Sequence, residues 1–204
     1  MTDFATLGLS SALLKSVAAA GYTTPTPIQQ AAIPHVLAGN DLMGLAQTGT
    51  GKTAAFGLPL IERLLARPAP AAPRGTRALI LAPTRELVNQ IAQNLITFVK
   101  GSSLQVTTIM GGVSMGPQIK RMARGCDILV ATPGRLIDLI ERNALRLDGV
   151  EYLVLDEADQ MLDLGFIHAL RRIATLIPKK RQTLLFSATM PKQIEELSRS
   201  YLND

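Results

Sequence analysis

The sequence predicts an α/β fold, with a mostly parallel β-sheet covered by helices on both faces. Six short runs rich in Leu, Ile and Val alternate along the chain with segments that have helix start signals. Most of the runs are apolar at nearly every position, as expected for strands that helices cover on both sides; only the third, which contains Thr, is more polar. The predicted strands are residues 42–46, 78–82, 105–109, 128–131, 152–155 and 183–186.

Helices are predicted between these strands because several gaps open on residues that favour a helix start. The predicted starts are Thr84 before 85–99, Ser114 before 115–123, Pro133 opening 133–141, and a last helix near Pro191. Each start follows a strand, so these helix N termini should lie at the carboxyl edge of the sheet, where ligands bind in such folds. Two further helices, at 11–20 and 27–38, come before the first strand.

Composition limits the chemistry that the chain can perform. The 204 residues carry a formal net charge of +5 and include a single cysteine, Cys126, and two histidines, so neither a disulfide framework nor a zinc ligand set is expected. A bound metal would therefore have oxygen ligands. Aromatic residues make up only 4% of the chain, and this argues against base stacking as the means of holding nucleic acid. A nucleic-acid partner would be held by its backbone.

The N-terminal residues do not resemble a signal peptide, and no apolar run reaches the ~18 to 20 residues of a membrane span. We therefore expect a cytoplasmic protein with no membrane partner. The Pro- and Ala-rich segment 67–75 is predicted to be an exposed loop.

The strongest chemical signal is the segment AQTGTGKT, which follows the first strand and opens a helix. Backbone N–H groups of such a loop, together with the positive end of the helix, form a cradle for phosphates. Lys52 would add a positive charge and Thr53 a hydroxyl ligand for Mg²⁺. Ala46 stands where the general pattern has glycine, but strand, loop and helix follow in the required order. The predicted nucleotide contacts are Ala46, Gln47, Thr48, Gly49, Thr50, Gly51, Lys52 and Thr53.

A second signal is VLDEAD at 154–159, where an apolar strand ends in two consecutive carboxylates. In enzymes with a phosphate-binding loop, the first acid holds Mg²⁺ and the next can orient or deprotonate the attacking water. An acidic pair alone is more often only a helix start favoured by the dipole. Combined with the upstream loop, it predicts hydrolysis of a nucleoside triphosphate by Lys52, Asp156 and Glu157, with Mg²⁺ on Thr53 and Asp156.

Seven collinear motifs make nearly the whole chain resemble the N-terminal RecA-like domain of DEAD-box RNA helicases, with the bacterial RhlE-like group as the suggested subgroup. They are AQTGTGKT, DEAD, GYTTPTPIQ (21–29), PTREL (83–87), Gly111-Gly112, TPGR (132–135) and SAT (187–189). The resemblance implies a RecA-like P-loop fold with ATP and Mg²⁺ as cofactors. It also implies two segments, a helical extension at 1–39 that contains the Q motif, and a RecA-like domain at 40–204.

The resemblance assigns roles to residues that the general patterns leave open. Tyr22 and Gln29 are expected to select adenine, with Phe4 supporting that pocket. The sugar-phosphate backbone of RNA is expected to contact Pro83, Thr84, Arg85, Gly111, Gly112, Thr132, Pro133, Gly134 and Arg135. Ser187 and Thr189 are expected to pair with Asp159 and to couple the nucleotide site to bound RNA. For any one of these residues alone, helix capping or an exposed surface position is the simpler interpretation.

Family enzymes close two RecA-like domains around ATP and RNA, and this sequence has no motif that would supply the arginine finger of the second domain. We therefore expect the chain by itself to bind nucleotide, to hydrolyse it slowly and not to unwind a duplex. Two alternatives stay open at this stage. One is an ATP-dependent RNA clamp, and the other is a small P-loop kinase, which would leave GYTTPTPIQ and TPGR unexplained.

Overall fold

Six parallel strands form one sheet in the order β1-β6-β5-β2-β4-β3 in the computed structural model, which describes residues 3–47 and 49–202. The strands are β1 Leu42–Leu45, β2 Thr76–Leu81, β3 Val106–Ile109, β4 Cys126–Ala131, β5 Tyr152–Leu155 and β6 Gln182–Ser187. Every predicted strand is confirmed, with ends that differ by at most two residues. The sheet is entirely parallel rather than mostly so.

Helices connect the strands and precede them. They are a 3₁₀ helix Phe4–Leu7, α1 Ser11–Ala19, α2 Pro27–Leu37, α3 Lys52–Ala66, α4 Arg85–Phe98, α5 Met115–Met122, α6 Pro133–Glu141, α7 Ala158–Asp163, α8 Ile167–Leu176 and α9 Lys192–Tyr201. Thr84 caps α4 as predicted, since its Oγ1 accepts a hydrogen bond from the Leu87 N–H at 3.2 Å. Ser114 stands at the predicted start of α5, but its side chain makes no capping hydrogen bond.

Helices cover both faces of the central strands, which explains why those strands are apolar at most positions. Along β2, Ile80 faces a core built with α1 to α4, whereas Leu79 and Leu81 face a core built with α5 to α9. Each of these three side chains is at most 1% exposed. Since successive residues of a strand point to opposite faces, both sets have to be apolar. The α/β prediction with helices on both faces is confirmed.

The two helices before β1 share the first of these cores. Ile33 and Val36 of α2 are fully buried in the same cluster as Phe56 of α3. Gln182, at the start of β6, donates hydrogen bonds from Nε2 to the carbonyls of Val36 and Asn40, at 2.9 and 2.7 Å. The end of α2 is thereby tied to the sheet.

The single cysteine packs as a small apolar side chain, as its position in a strand predicts. Cys126 is 3% exposed in the second core, and burial raises the pKa of its thiol to about 11. The segment 67–75 is exposed at most positions, in agreement with the prediction of a surface loop. Among the described residues, no helix combines the length and the apolar character needed to cross a membrane.

The strand order separates the sequence motifs along one edge of the sheet. All strands run in the same direction, so the segments that follow them meet at the carboxyl edge. AQTGTGKT, SAT and DEAD follow β1, β6 and β5, which are neighbours in one half of the sheet. PTREL, TPGR and the Gly-Gly pair follow β2, β4 and β3, which form the other half. The predicted nucleotide residues and the predicted RNA residues therefore occupy adjoining halves of a single edge.

Candidate nucleotide and nucleic-acid site

The loop after β1 has the backbone shape of a phosphate cradle. Gly49 and Gly51 have φ angles of +85° and +82°, in the left-handed region that side chains disfavour. α3 begins at Lys52 with no side chain capping its first N–H groups, which leaves them available to a phosphate. Thr50 donates its hydroxyl to the carbonyl of Gln47 at 2.8 Å and so closes the loop on itself. Thr48, predicted in this loop, lies outside the described residues.

Gln29 holds this loop against α2. Its side-chain Nε2 donates to the carbonyl of Gly51 at 3.2 Å, while its Oε1 accepts from the Thr26 N–H at 2.9 Å in a capping box. Gln29 is 1% exposed, and a Cβ on Gly51 would lie 2.5 Å from its Nε2. These bonds use one donor hydrogen and one acceptor lone pair of the amide, and Gln29 is not among the residues that line the neighbouring cleft, so its predicted contact with adenine stays a prediction.

Tyr22 lies beside the loop at the mouth of a cleft of about 220 Å³, which Gly49, Gly51 and Lys52 also line. Its ring packs edge-on against Phe4, with centroids 6.4 Å apart, and against Phe98 of α4 at 5.7 Å. Phe4 is 5% exposed, so it supports Tyr22 from below instead of facing the cleft. The contact between these two rings is observed, and their role in an adenine pocket stays a prediction.

Lys52 and Asp156 form a buried ion pair across the sheet. The Lys52 Nζ donates to Oδ1 of Asp156 at 2.9 Å, and the two side chains are 8% and 1% exposed. Burial raises the pKa of Asp156 above its ordinary value, and the Lys52 ammonium opposes that rise. The pair joins the start of α3 to the end of β5, and its two residues are 104 positions apart in the chain.

The oxygen atoms at this point suit Mg²⁺. Thr53 and Asp156 line the same cleft, and together they provide one hydroxyl and one carboxylate. Within 3–47 and 49–202 there is no group of three or more His, Cys, Asp or Glu side chains that could hold a metal. A magnesium ion bound here would therefore take most of its ligands from phosphates and water, as this ion commonly does.

Glu157 has a backbone conformation that is unusual for a residue with a side chain. Its φ and ψ are both 53°, in the left-handed region, and it stands directly before α7. Such conformations cost about 1 to 3 kcal/mol and tend to persist at functional sites, where the surroundings impose them. Glu157 lines the nucleotide cleft together with Asp156.

Asp159 connects the acidic motif to the segment that follows β6. Its Oδ2 accepts hydrogen bonds from the backbone N–H and from the hydroxyl of Thr189, at 3.2 and 3.0 Å. Burial would raise the pKa of Asp159, but the Thr189 hydroxyl and the Gln160 and Thr189 N–H groups outweigh it, so the pKa lies below its ordinary value. The buried Ser187 hydroxyl adds to this lowering without meeting hydrogen-bond geometry. The predicted contact of Asp159 is thus present for Thr189, whereas Ser187 only lies nearby.

Two predicted RNA-contacting arginines converge on one loop. Arg85 donates from NH1 to the carbonyl of Gly112 at 3.2 Å, and Arg135 donates from NH1 to the carbonyl of Val113 at 2.8 Å. Gly112 has a φ of +77°, and a Cβ there would lie 2.6 Å from the guanidinium of Arg85. The motifs after β2, β3 and β4 therefore form one connected surface. Sequence spacing alone does not show this contact.

The remaining predicted RNA residues divide into exposed and buried ones. Thr84 is exposed at the start of α4, and Gly111 and Gly134 are partly exposed. Pro83, Thr132 and Pro133 are buried, so their side chains are part of the scaffold and do not form open contact surface. Gly134 lies close to Phe166, since a Cβ there would be 3.4 Å from that ring.

Gln118 is a positioning residue that the sequence interpretation missed. It is 1% exposed on α5, its Oε1 accepts from the Met110 N–H at 3.3 Å, and its Nε2 donates to the Met110 carbonyl at 2.9 Å. Both bonds hold the backbone just before Gly111. The signal in the sequence was a glutamine on an otherwise apolar helix face, eight residues after its partner.

A larger cavity elsewhere in the structure does not coincide with this site. It measures about 610 Å³ and lies at the amino edge of the sheet, between the loop after α3 and the starts of β3 and β4. Its lining is mostly apolar, with Leu64, Leu104 and Pro68 among its residues, and it has no phosphate-binding loop. Chemistry, more than size, thus marks the cleft at the carboxyl edge as the candidate site.

A parallel α/β sheet in which a glycine-rich strand-to-helix loop carries a lysine paired with the carboxylate of a nearby strand defines a P-loop nucleotide-binding domain. The family model described as DEAD/DEAH box helicase matches residues 26–197, and the chain belongs to this family. It is 47% identical over 204 residues to the ATP-dependent RNA helicase dbp2 of Schizosaccharomyces pombe. That alignment covers 100% of this chain and 37% of the relative, so the chain spans little more than a third of its length.

Membership in this family removes the kinase alternative, which is wrong. The match confirms the resemblance that the seven motifs indicated. Placement in the bacterial RhlE-like group stays a prediction.

Proposed function

We propose that this chain provides the ATP-binding and RNA-binding part of an RNA helicase that uses hydrolysis of Mg-ATP to separate or remodel short RNA duplexes. The observation that carries the proposal is the Lys52–Asp156 pair, with Nζ and Oδ1 2.9 Å apart at the mouth of the glycine loop. It places a lysine ammonium and a carboxylate suited to Mg²⁺ next to one another where phosphates would lie. The similarity to a protein named as an ATP-dependent RNA helicase supports the same conclusion.

In this proposal the nucleotide is held in two parts. The loop 46–53 and the N terminus of α3 bind the phosphates, with Lys52 turning from Asp156 towards them. Tyr22 stacks on the adenine, with Phe4 behind it, and Gln29 bonds the base edge. Thr53 and Asp156 hold Mg²⁺, which when bound would neutralise charge on the phosphate oxygens.

Glu157 is the proposed base. It follows Asp156 in the chain, and its left-handed backbone directs the next carboxylate to the same cleft. A carboxylate here can accept a hydrogen bond from water and hold that water for attack on the terminal phosphate.

RNA is proposed to lie along the other half of the carboxyl edge. Arg85 and Arg135 would exchange their bonds to the 112–113 carbonyls for bonds to phosphate oxygens, which are stronger because they are charge-assisted. The exposed Thr84 and the bare backbone at Gly111 and Gly112 let a strand approach closely. Buried Pro83, Thr132 and Pro133, with the partly exposed Gly134, would shape these corners and present their backbone groups. Contacts of this kind read no base sequence.

Asp159, with Thr189 and the nearby Ser187, is proposed to link the two halves. We also propose that residues 1–39 act as an extension that carries the Q motif, while 40–204 form a first RecA-like domain that works with a second one. On its own the chain is expected to bind adenine nucleotide and to hydrolyse it slowly, without unwinding RNA.

The proposal is tested by binding of a fluorescent ATP analogue to the chain with Mg²⁺, comparing the wild type with Lys52→Met. Loss of at least tenfold in affinity on removal of Lys52 is expected, with no change for Lys15→Met on the exposed face of α1. Equal affinity in both variants would contradict the proposed site.

A clamp that holds RNA without unwinding is the second candidate. It is distinguished by strand displacement measured on a protein that carries both RecA-like domains. Tight ATP-dependent RNA retention without displacement would favour the clamp over the helicase.

A further inference from the structure

A second concentration of positive charge lies at the opposite edge of the sheet from the nucleotide cleft. An open cleft of about 430 Å³ is found where β5 and β6 begin, beside the end of α3. Four cationic side chains line it, against one carboxylate: Arg63, Arg67, Lys180 and Arg181 against Glu151. Clefts lined by one sign of charge concentrate ligands of the opposite sign.

The carboxylate in this cleft is already neutralised by its neighbours. Glu151 accepts from Nε of Arg77 at 2.7 Å and pairs with NH2 of Arg67 at 3.3 Å. Arg77 is 4% exposed, so its bond to Glu151 is sheltered, whereas the Arg67 side chain is 72% exposed. Lys180 is exposed and has no ion pair among the described residues. Asp41 partly balances Arg181, so the excess positive charge of the cleft comes from Arg63, Arg67 and Lys180.

Arg63 is held rigidly at this cleft by contacts that leave it incompletely satisfied. Its NH1 donates to the carbonyl of Leu37 at 3.1 Å, and its guanidinium lies 5.5 Å from the centroid of the Tyr152 ring. A Cβ on Gly39 would approach NH1 to 3.1 Å, so the packing is close on that side as well. The Nε of Arg63 is buried and has no hydrogen-bond partner among the described residues.

Gln182 adds an unpaired acceptor to the same lining. Its Nε2 is committed to the carbonyls of Val36 and Asn40, which determines the orientation of the amide. The residue is 6% exposed, and its Oε1 is buried with no hydrogen-bond partner within the part of the chain that the structure describes. Buried polar atoms without partners are uncommon in folded proteins and call for an explanation.

We propose that this cleft, which we name the amino-edge cleft, binds a phosphate of an RNA strand as a second contact, distinct from the predicted RNA surface at the carboxyl edge. Guanidinium and ammonium groups are the usual partners of phosphate oxygens, and a ribose hydroxyl is the kind of donor that the Gln182 acceptor lacks. An acidic peptide also matches the charge, and its backbone N–H groups are donors too, so RNA is preferred here because the proposed function already brings an RNA strand to this chain. The inference rests on the proposed RNA-binding function and adds an anchor that would hold RNA flanking the duplex.

The test uses fluorescence anisotropy of the 204-residue chain with labelled single-stranded U8 and U30 RNA, at several salt concentrations. The variant is Arg67→Glu/Lys180→Glu, in which both substituted side chains are exposed. The matched control is Lys15→Glu/Lys192→Glu, which changes the net charge equally at exposed positions outside the amino-edge cleft. Both variants should have the same thermal unfolding temperature as the wild type, which checks that the fold is retained.

We expect the cleft variant to bind U30 about five- to tenfold more weakly than the control and to bind U8 within twofold of it. Its salt dependence should also fall by about 1.4 in log–log slope, as the loss of two phosphate contacts to a single strand predicts. U30 affinity equal to that of the control would overturn the amino-edge cleft as an RNA site.

Three further arms separate the alternatives. In the first, the cleft variant loses binding of poly-glutamate or of ribose 5-phosphate while the control keeps it and U30 binding is unchanged. That result would overturn RNA as the ligand of the amino-edge cleft and assign an acidic peptide or a small phosphate ester instead. A wild type that binds neither RNA, or whose U8 binding survives Arg85→Glu/Arg135→Glu, would contradict the proposed function at the carboxyl edge. If U8 binding survives Arg85→Glu/Arg135→Glu but U30 binding still requires Arg67 and Lys180, the amino-edge cleft remains supported.

Discussion

Thr189 makes two hydrogen bonds to one oxygen of Asp159, through its hydroxyl at 3.0 Å and its backbone N–H at 3.2 Å. These bonds join the helix that follows the acidic pair to the loop that follows β6. The loop after β6 lies next to the end of β1, so these bonds lie close to the phosphate-binding loop. Four predictions follow from contacts of this kind.

Replacing Thr189 by Val should weaken the chain by about 1 kcal/mol at neutral pH, since one hydrogen bond to a carboxylate is lost while size and shape are kept. The pKa of Asp159 is lowered in the folded state, so its contribution is complete above the unfolded value of about 3.9 and disappears as the pH falls through the folded value. The difference between wild type and Thr189→Val should therefore shrink below about pH 4.

Urea unfolding at pH 7 and pH 3 measures this difference, and Thr189→Ser, which keeps the hydroxyl, is the control. If the difference in unfolding free energy between wild type and Thr189→Val stays constant across this pH range, Thr189 acts only through packing. In a protein with both RecA-like domains, Thr189→Val should reduce unwinding more than ATP hydrolysis.

Gly51→Ala should damage the phosphate loop far more than Gly49→Ala. Both positions have a left-handed backbone that costs an L-residue about 1 to 2 kcal/mol, so strain alone affects both equally. At Gly51 the new Cβ would also lie 2.5 Å from Nε2 of Gln29, whereas at Gly49 it would meet no atom of the described non-neighbouring residues within 4 Å. Nucleotide titration by fluorescence should show at least a tenfold greater loss of affinity for Gly51→Ala, and similar losses in both variants would argue against the Gln29 contact.

Glu157→Gln should retain nucleotide binding while lowering turnover by about 10² to 10⁴-fold, the range expected when a general base is removed. The amide keeps the size of the side chain and its left-handed backbone, so the fold should be unaffected. Single-turnover phosphate release, with Glu196→Gln on the exposed side of α9 as control, measures the effect. Turnover at the wild-type rate in Glu157→Gln would show that Glu157 is not the base.

Gln118→Leu should loosen the Gly111–Gly112 loop without touching any proposed ligand. Two backbone groups of Met110 lose their partner, and each buried unsatisfied group costs about 1 to 3 kcal/mol. We expect a lower melting temperature together with weaker RNA binding, and unchanged ATP affinity because the nucleotide half of the edge is separate. Hydrogen exchange at residues 110–113 checks the cause, and protection equal to wild type would contradict a positioning role.

Much of the fold was predictable from local signals. Six apolar runs and the helix start signals between them located all six strands, because a strand buried on both faces has to be apolar at every position. Thr84 was predictable as a helix start because its hydroxyl can accept a hydrogen bond from a backbone N–H group that the helix itself leaves unpaired. The glycine loop and the acids at 156 and 157 were also identifiable, because their chemistry depends on residue types at short, defined spacings.

Other features had no local signature. Arg85 and Arg135 appear in the sequence as two unrelated surface arginines, yet the strand order places both on neighbouring carbonyls of the 112–113 loop. Gln118 and the amino-edge cleft escaped sequence analysis for the same reason, since their partners are backbone groups or side chains from distant segments. Ser187 was expected to pair with Asp159, but the rotamer of a fully buried side chain at the end of β6 is decided by the residues packed around it.

The sequence by itself therefore determined the class of fold, the phosphate loop, the acidic pair and the order of the motifs, because each depends on periodicity or on residues close together in the chain. The tertiary structure alone decided that Lys52 meets Asp156, that Gln29 supports Gly51, and that nucleotide and RNA motifs occupy separate halves of one edge. Those relationships depend on which strands are neighbours in the sheet. That order results from packing two cores at once, a global property that no short segment contains.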